Sequence, residues 1–343
     1  MRPLTLGRLL WTCAALAAVL LVVVLVALKL GAVPISVTDL FMSLARAAMG
    51  RGDQLPTEYR LIVFDLRLPR ILLGILVGAA LSVAGAGFQA LLRNPLADPY
   101  VLGVSSGAAV GYIFSLLLSP YLPVAAALVT PIGASLCAAA TIAAVYFLGR
   151  RGGELDSATL LLAGIIMASF LSAVIMFLIT TLPGRDLRGI SFWLMGDLST
   201  PQPAILRWIF VVGLVVAAGA IYTTAADLNL LLTGEREAMH LGVDVTRVKL
   251  VVYVSASVLT GLAVSVSGAI GYIGLLVPHV MRMLFGSDYR LLIPTSALGG
   301  AIAIVLADTL ARTIVAPTEL PVGAMTAMAG APFFIYLLRR RLR

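Results

Sequence analysis

Residues 158–181 read ATLLLAGIIMASFLSAVIMFLITT, a run without a charged side chain. A run of this length can cross the hydrocarbon core of a bilayer as a helix, because a helix satisfies its own backbone hydrogen bonds. Similar runs recur along the chain, in which 61% of the 343 residues are hydrophobic and 12% are charged. Ordinary soluble domains do not have this composition, so we expect the bilayer to be the solvent of this chain.

The apolar runs predict an all-α polytopic membrane protein with about ten transmembrane helices. Strand-like alternation is absent from the sequence, which disfavours a membrane barrel. The first run follows Arg2 and Arg8 as in a signal peptide, but it is longer than a usual signal core and lacks a clear cleavage site, so we interpret it as a span. The predicted spans are residues 9–30, 68–90, 99–119, 123–148, 158–181, 204–225, 248–268, 270–286, 291–311 and 322–338.

Basic residues indicate the orientation of these spans. An even number of spans places both termini on one side, and the arginines at 339–341 and 343 mark that side as cytoplasmic. In this topology 14 of the 24 basic residues lie inside, nine lie outside and Lys29 lies at an edge. The net charge of +8 is dispersed between spans, so it does not indicate a nucleic-acid partner.

The outer basic residues are concentrated between residues 31 and 70. One interpretation, for the first three of them, is a solvated amphipathic loop that nearby acidic residues balance. The basic residues are Arg46, Arg51, Arg60, Arg67 and Arg70, and the acidic residues are Asp53, Glu58 and Asp65.

An internal repeat relates two parts of the chain. A shift of 183 residues superposes 76–103 on 259–286 without a gap and with ten identities. The matched segments lie in the second and seventh spans, so the two halves are predicted to be inserted in opposite orientations. Inverted repeats are typical of transporters that carry a solute between the halves. We predict a single transmembrane domain over 1–343, with repeat halves at about 60–200 and 243–343.

Two polar segments interrupt the apolar pattern. Residues 93–99, RNPLADP, contain two helix-breaking dipeptides and predict either a tight connecting turn or a constriction at the cytoplasmic mouth of a pathway. Gln89, inside a span, is expected either to face the pore or to make an interhelical hydrogen bond. Residues 227–249 predict short amphipathic helices broken at Gly234 and Gly242, whose apolar faces need a partner protein as cover.

The sequence also limits the source of energy and the kinds of site. The only lysines, Lys29 and Lys249, do not follow a glycine, so the chain has no phosphate loop and any ATPase must be another chain. An ion-driven transporter usually has ionisable residues within its spans, and Asp308 is the clearest candidate. Arg312 follows four residues later, which favours a local ion pair. The two cysteines and two histidines are separate in the sequence, so no metal site or disulfide is predicted.

These motifs resemble the iron-siderophore, haem and cobalamin permeases of ABC importers, sometimes called the FecCD family. The resemblance extends from Arg67 to Arg343 and consists of separate blocks in the family's order. The blocks are residues 66–70, 85–89, 93–99, 102–107, 160–164, 234–235, 241–243, 268–279, 319–323 and 330–332.

The resemblance implies a permease subunit of a bacterial inner-membrane importer that carries ferric-siderophore, haem or cobalamin complexes. It further implies a homodimer with ten helices per subunit, a path at the dimer interface, two ABC ATPase subunits, and a periplasmic or lipid-anchored binding protein. The chain would be no enzyme and would bind no cofactor, since ATP and magnesium belong to the ATPase. An ion-coupled secondary transporter is the alternative, and no residue distinguishes the three substrates.

The resemblance also implies three groups of functional residues. Ala158 stands where the cobalamin permease has a hydroxyl residue, which weakens its assignment. Docking to the binding protein is implied for Arg67, Arg70 and Arg312, and coupling to the ATPase for Gly234, Glu235, Ala238, Leu241, Gly242 and Val243. The translocation path and cytoplasmic gate are implied for Gln89, Asn94, Pro95, Leu96, Ser157 and Ala158.

Overall fold

The structure is a computed structural model that describes residues 5–31, 33, 35–49, 56–122, 126–151, 154–182 and 184–341. Arg2, Arg51, Asp53 and Arg343, which the sequence-based topology uses, lie outside the described residues, as do residues 123–125 of the fourth predicted span. The helices are α1 (Leu6–Lys29), α2 (Val37–Ala48), α3 (Thr57–Tyr59), α4 (Leu68–Leu91), α5 (Val104–Leu118), α6 (Ala126–Leu148), α7 (Ser157–Thr181), α8 (Gly184–Leu194), α9 (Ala204–Thr223), α10 (Ala225–Leu231), α11 (Glu235–His240), α12 (Val245–Ser267), α13 (Ile273–Phe285), α14 (Tyr289–Thr313) and α15 (Val322–Arg341).

Short elements connect some of these helices. A π-helical segment, Arg60–Arg67, continues α3 into α4, and 3-10 turns lie at Pro99–Leu102 and Ser119–Tyr121. A short hairpin with two residues in each strand precedes α7. Its strands, β1 (Arg150–Arg151) and β2 (Glu154–Leu155), are antiparallel, with Arg150 opposite Leu155.

The helical membrane architecture predicted from the sequence is confirmed. Within the described part of the chain, eight helices are long and apolar enough to cross a membrane. The predicted spans at 270–286 and 322–338 correspond to shorter apolar helices, Ile273–Phe285 and Val322–Tyr336. The span predicted to start at 99 starts at Val104 instead, because Pro99 begins a 3-10 turn and Gly103 has a left-handed φ of 74°.

Helix α4 forms the centre of the bundle. It packs along α14, α12 and α13, and its residues from 77 onward are almost continuously buried. Glycines allow the closest approach: Gly78 meets the backbone of Gly300 on α14, and Gly111 of α5 meets Gly133 of α6. Small residues at such positions let helix backbones pack closely in a membrane protein.

Helices α4 and α12 run in opposite directions. At one end Phe88 makes an edge-to-face contact with Tyr253, with ring centroids 6.3 Å apart. At the other end, Leu198 packs on Gly74, and the neighbouring Asp197 N–H donates to Ser267 O at 2.7 Å. This direction is the one that an inverted repeat requires, although the repeat itself stays a prediction.

The residue match of the repeat extends to local structure only in its first part, where residues 76–83 and their matches 259–266 lie inside α4 and α12. Gly85 lies inside α4, whereas its match Gly268 ends α12 with a φ of 66°. Pro95 lies in a turn, whereas its match Pro278 lies inside α13. The two halves therefore share a helical backbone in the first part of the match and differ in backbone conformation after it.

Candidate functional site

The predicted functional residues lie at the two ends of the bundle, named here the Arg70 end and the Glu235 end. Arg8 Nη2 donates to Phe285 O at 2.8 Å, so α1 starts at the Glu235 end. The Val322 N–H donates to Gly196 O at 3.0 Å, so α15 starts at the Arg70 end and runs away from it. Both described ends of the chain therefore lie on one side. The Arg70 end comprises residues 27–31, 33, 67–70, 196–202 and 308–322; the Glu235 end comprises 91–96, 150–151, 154–157, 225–249 and 285–290.

A buried ion-pair network lies at the Arg70 end. Asp308 Oδ1 is 2.8 Å from Arg70 Nε, and Asp308 Oδ2 is 3.1 Å from Arg312 Nε. Arg70 also pairs with the partly exposed Glu319, with Nη1 and Oε2 2.6 Å apart. The predicted local ion pair of Asp308 with Arg312 is thus present. Sequence reasoning missed Arg70 and Glu319 as its further members, because they come from α4 and from the segment before α15.

Arg67 connects three parts of the chain at the same end. Its guanidinium donates to the carbonyl oxygens of Leu28 at 2.6 Å, Lys29 at 3.1 Å and Val33 at 2.6 Å. The first two are carbonyls of the last turn of α1, which have no partner within that helix. Gly31 leaves room for the guanidinium, since a Cβ there would overlap it. Arg67 therefore holds the start of α4 against the end of α1.

The three predicted docking arginines thus lie together, and all three are occupied by partners within the chain. The side chains of Arg67 and Arg312 are each 6% exposed, and Arg70 is partly buried. Their contact with a binding protein stays a prediction. Exposed cations at this end, which sequence reasoning did not select, include Arg188 and Arg207.

Two short helices at the Glu235 end match the predicted coupling segment. Gly234 precedes α11 with a φ of 139°, and Gly242 follows it with a φ of 86°. The Val243 N–H returns to Ala238 O at 3.0 Å, the hydrogen bond that ends a helix at a left-handed glycine. Ala238, a residue of α11, is buried. The predicted breaks at the two glycines are confirmed.

The outer face of this segment carries exposed apolar side chains beside the charged Arg236 and Glu237. Leu232, Met239 and Leu241 are 49%, 53% and 64% exposed. Since the segment also carries charged residues, it fits a protein partner better than lipid. Cover of these side chains by a partner protein stays a prediction.

Helix α10 is fixed to the start of α14. Asn229 Nδ2 donates to Asp288 Oδ1 at 2.8 Å, and its Oδ1 accepts from the Tyr289 N–H at 2.9 Å. A hydrogen bond from Arg290 lowers the pKa of Asp288, so this carboxylate remains charged and caps α14. Movement of α10 would therefore displace the start of α14.

Gln89 makes interhelical hydrogen bonds and is buried. Its Nε2 donates to Leu275 O of α13 at 3.1 Å, and its Oε1 accepts from Arg282 Nη2 at 3.2 Å. Of the two interpretations offered by the sequence, this geometry matches the hydrogen bond between helices. A role of Gln89 in a pathway stays a prediction.

The other predicted gate residues gather where α4 ends and α7 begins. Asn94 Oδ1 accepts from the Leu96 N–H at 3.0 Å, which closes the turn containing Pro95. Ser157 Oγ donates to Leu91 O at 3.1 Å and joins the start of α7 to the end of α4. Leu96 and Ala158 are exposed. The structure therefore brings these four residues and Pro95 to one place.

Non-helical segments from both halves meet at the depth of the middle of α4. Gly274 lies between Leu81 of α4 and Pro99, which places the turn at Pro99–Leu102 well inside the bundle. The Ile270 N–H donates to Tyr100 Oη at 2.9 Å across the junction. Sequence reasoning identified the break after Arg93 but missed this contact, because nothing in the sequence indicates the left-handed φ of 69° at Tyr272.

An apolar groove lies on the surface between α6 and α7. It has a volume of about 460 Å³ and starts near the gate residues at the Glu235 end. Its walls are Leu148, Thr159, Leu162, Ala163, Ile166, Met167 and Phe170. No group of three or more possible metal ligands occurs in the part of the chain described by the structure.

Comparison with known proteins gives a consistent family match. The model of the FecCD transport family matches residues 19–340. The ABC transporter permease protein YvrB of Bacillus subtilis is 45% identical over 300 residues, which cover 86% of this chain and 83% of YvrB. The hemin transport system permease protein HmuU of Yersinia pestis is 42% identical over 287 residues, covering 82% and 84% of the two chains.

Two further relatives add a cobalamin permease and a solved structure. The cobalamin import system permease protein BtuC of Halobacterium salinarum is 44% identical over 290 residues, covering 83% of this chain and 75% of BtuC. A solved structure of a metal-chelate type ABC transporter in an inward-facing conformation superposes with a TM-score of 0.80 at 29% identity. It covers 96% of this chain and 99% of that one.

Proposed function

We propose the function of this chain from one premise: it belongs to the FecCD transport family and is a multi-pass permease subunit of an ABC transporter. It is a transport component and not an enzyme. We propose that it imports a metal chelate, a ferric-siderophore, haem or cobalamin complex, across the bacterial inner membrane. The observation that carries this substrate class is the identity above 40% to both a hemin and a cobalamin permease.

We propose that the transport route runs between two copies of this chain. The centre of one copy is filled. In the most apolar part of the helix that includes α4, 83% of the residues are buried, whereas in the most apolar part of α7 only 17% are buried. The groove beside α7 adjoins the proposed gate and offers an apolar wall. A second copy facing α7 would enclose a route there, with Asn94, Pro95 and Ala158 at its cytoplasmic end.

The Glu235 end is proposed to be cytoplasmic. Of the basic residues predicted for the inner side, those that the structure describes lie there, and so do both described ends of the chain, which agrees with the positive-inside rule. The apolar face formed by Leu232, Met239 and Leu241 would then dock on an ABC ATPase, one per permease copy. That ATPase would use ATP and magnesium. The Arg70 end would face the substrate-binding protein.

Coupling to an ion gradient has less support. Asp308, the carboxylate best placed for it, is held between Arg70 and Arg312. Binding or releasing a proton or metal ion there would break a buried ion pair, which is costly. The relatives are permeases of ATP-driven systems, and none of their names points to an ion-coupled transporter.

Reconstitution tests the proposed function. The chain is co-expressed with the ABC ATPase and the binding protein of its source organism and placed in proteoliposomes. Uptake of cyanocobalamin, haemin and ferrichrome is measured with and without ATP, and an ATPase variant unable to hydrolyse ATP is the control. We expect ATP-dependent uptake of one of these probes. Failure to recruit any ATPase, or uptake that needs no ATP, contradicts the proposal.

Cross-linking tests the position of the second copy. Phe170 of α7 is exposed beside the groove, and Trp208 of α9 is equally exposed on another face. With Cys13 and Cys137 replaced by Ala, Phe170→Cys is expected to form a disulfide-linked dimer on oxidation in membranes. Trp208→Cys is the matched control and should remain monomeric. Cross-linking of Trp208→Cys alone would place the dimer interface elsewhere.

A further inference from the structure

One carboxylate at the Glu235 end contacts cations from two different parts of the chain. Glu235 Oε1 is 3.0 Å from Arg93 Nη2 and 2.7 Å from Lys249 Nζ. Glu235 is the first residue of α11, Arg93 follows α4, and Lys249 lies in the first turns of α12. The same oxygen therefore joins the coupling helix to two other elements.

The Arg93 contact connects α11 to the turn at the end of α4. Arg93 directly precedes Asn94 and has a φ of 48°, a left-handed conformation that is uncommon for a residue with a side chain. Its N–H donates to Ala90 O at 3.2 Å, which ends the helix. Because the backbone is confined here, a displacement of the Arg93 guanidinium would also displace the turn at Asn94.

The Lys249 contact connects α11 to the start of α7. The side chain of Lys249 is 9% exposed, and its Nζ also donates to Leu155 O at 3.2 Å. Leu155 is the last residue of the hairpin, and the next residue, Asp156, caps α7 by accepting from the Thr159 N–H at 2.7 Å. Lys249 thus contacts the residue that directly precedes the N-cap of α7.

The two branches converge on the same place. Ser157 Oγ of α7 donates to Leu91 O of α4, so the end of α4 and the start of α7 are themselves connected. Glu235, Arg93, Lys249 and this hydrogen bond close a loop of contacts around the proposed gate. A displacement of α11 would act on both sides of the gate together.

We propose that Glu235 is a positioning residue that transmits the movement of α11 to the gate through Arg93 and Lys249. This inference rests on the proposed function, in which an ATPase moves α11. The stability of the fold does not by itself account for the Arg93 contact. Glu235 and Arg93 are each about one-third exposed, and ion pairs of that kind contribute little to folding stability.

The test separates ATP hydrolysis from gate movement in the assembled complex. Ala158→Cys, in a chain with Cys13 and Cys137 replaced by Ala, reports gate exposure through labelling by a membrane-impermeant maleimide. In the complex with its ATPase, addition of ATP is expected to change the labelling rate. Glu235→Gln should reduce that change about fivefold or more while ATP hydrolysis continues. An unchanged labelling response in Glu235→Gln overturns the proposal.

Three further variants keep the result unambiguous. Arg93→Gln breaks one branch at an exposed residue, and it decides the outcome if the Glu235→Gln complex does not assemble. Arg93→Lys keeps the positive charge and should restore the labelling response. Glu237→Gln removes another carboxylate of α11, one without contact to either cation. If Glu237→Gln and Glu235→Gln reduce the labelling response equally, the net charge of the docking face is the cause and not the contacts of Glu235. That result would overturn the proposal. A wild-type chain that recruits no ATPase contradicts the proposed function instead.

Discussion

Gly78 of α4 and Gly300 of α14 lie in backbone contact, and a Cβ atom added to either would overlap the carbonyl oxygen of the other. The two helices run in opposite directions from this contact. Eight residues further along each, Arg70 meets Asp308 at 2.8 Å. The close approach of two glycines inside the bundle therefore sets the geometry of the ion pairs at its end.

Substitution of Gly78 tests this close approach. Gly78→Ala should lower the free energy of unfolding in detergent micelles by about 1–3 kcal/mol, because the added methyl group forces the helices apart. Gly219→Ala is the matched control: Gly219 also lies in a long apolar helix, but nothing lies within 4 Å of a Cβ there. It should leave stability unchanged or slightly higher. Equal effects of the two variants would mean that α4 and α14 can separate without cost.

Removal of the Asp308 carboxylate tests the ion-pair network. Asp308→Ala should destabilise the chain by about 3–5 kcal/mol, because Arg70 and Arg312 would keep buried charges without their shared carboxylate. The control, Glu319→Ala, removes a partly exposed carboxylate of the same network and should cost below about 1 kcal/mol. Both values are measured by denaturation in micelles. A larger loss for Glu319→Ala would place the main partner of Arg70 at Glu319.

Arg67 distinguishes a role in folding from a role in docking. Arg67→Ala leaves the carbonyls of Leu28, Lys29 and Val33 without their charged donor, so we expect a loss of about 2 kcal/mol or more in unfolding free energy. Arg207→Ala, at an exposed cation of the same end, should leave stability unchanged. The affinity for the binding protein is measured on the same samples. If Arg67→Ala keeps full stability but loses the binding protein, Arg67 acts in docking.

Gly242 tests the coupling segment through its backbone. Space is available for a side chain, but the φ of 86° is strained most for a β-branched residue such as valine. Gly242→Val should therefore distort the end of α11 and reduce copurification of the ATPase about tenfold or more. Gly242→Asn is the control, since asparagine tolerates left-handed backbone. Retention of the ATPase by Gly242→Val would exclude a role for this turn in docking.

The partners of buried charges could not be predicted from the sequence in the same way as the helices. Asp308 and Arg312 are four residues apart on one helix, so helical spacing alone predicts their contact. The Arg70 contact with Asp308 and the Glu235 contacts with Arg93 and Lys249 join residues far apart in the chain. Arg67 looked like an exposed outer cation because its carbonyl acceptors carry no mark in the sequence.

Hydropathy and glycine positions were enough to predict a bundle of membrane helices with amphipathic breaks at Gly234 and Gly242, because both are local properties of the chain. Its motifs also determined the family. The three-dimensional packing was needed to show that Arg67 is held by α1, that the turn at Pro99–Leu102 lies deep in the bundle, and that Glu235 contacts both Arg93 and Lys249. Those relationships depend on how helices cross, and crossings are set by packing between residues distant in sequence.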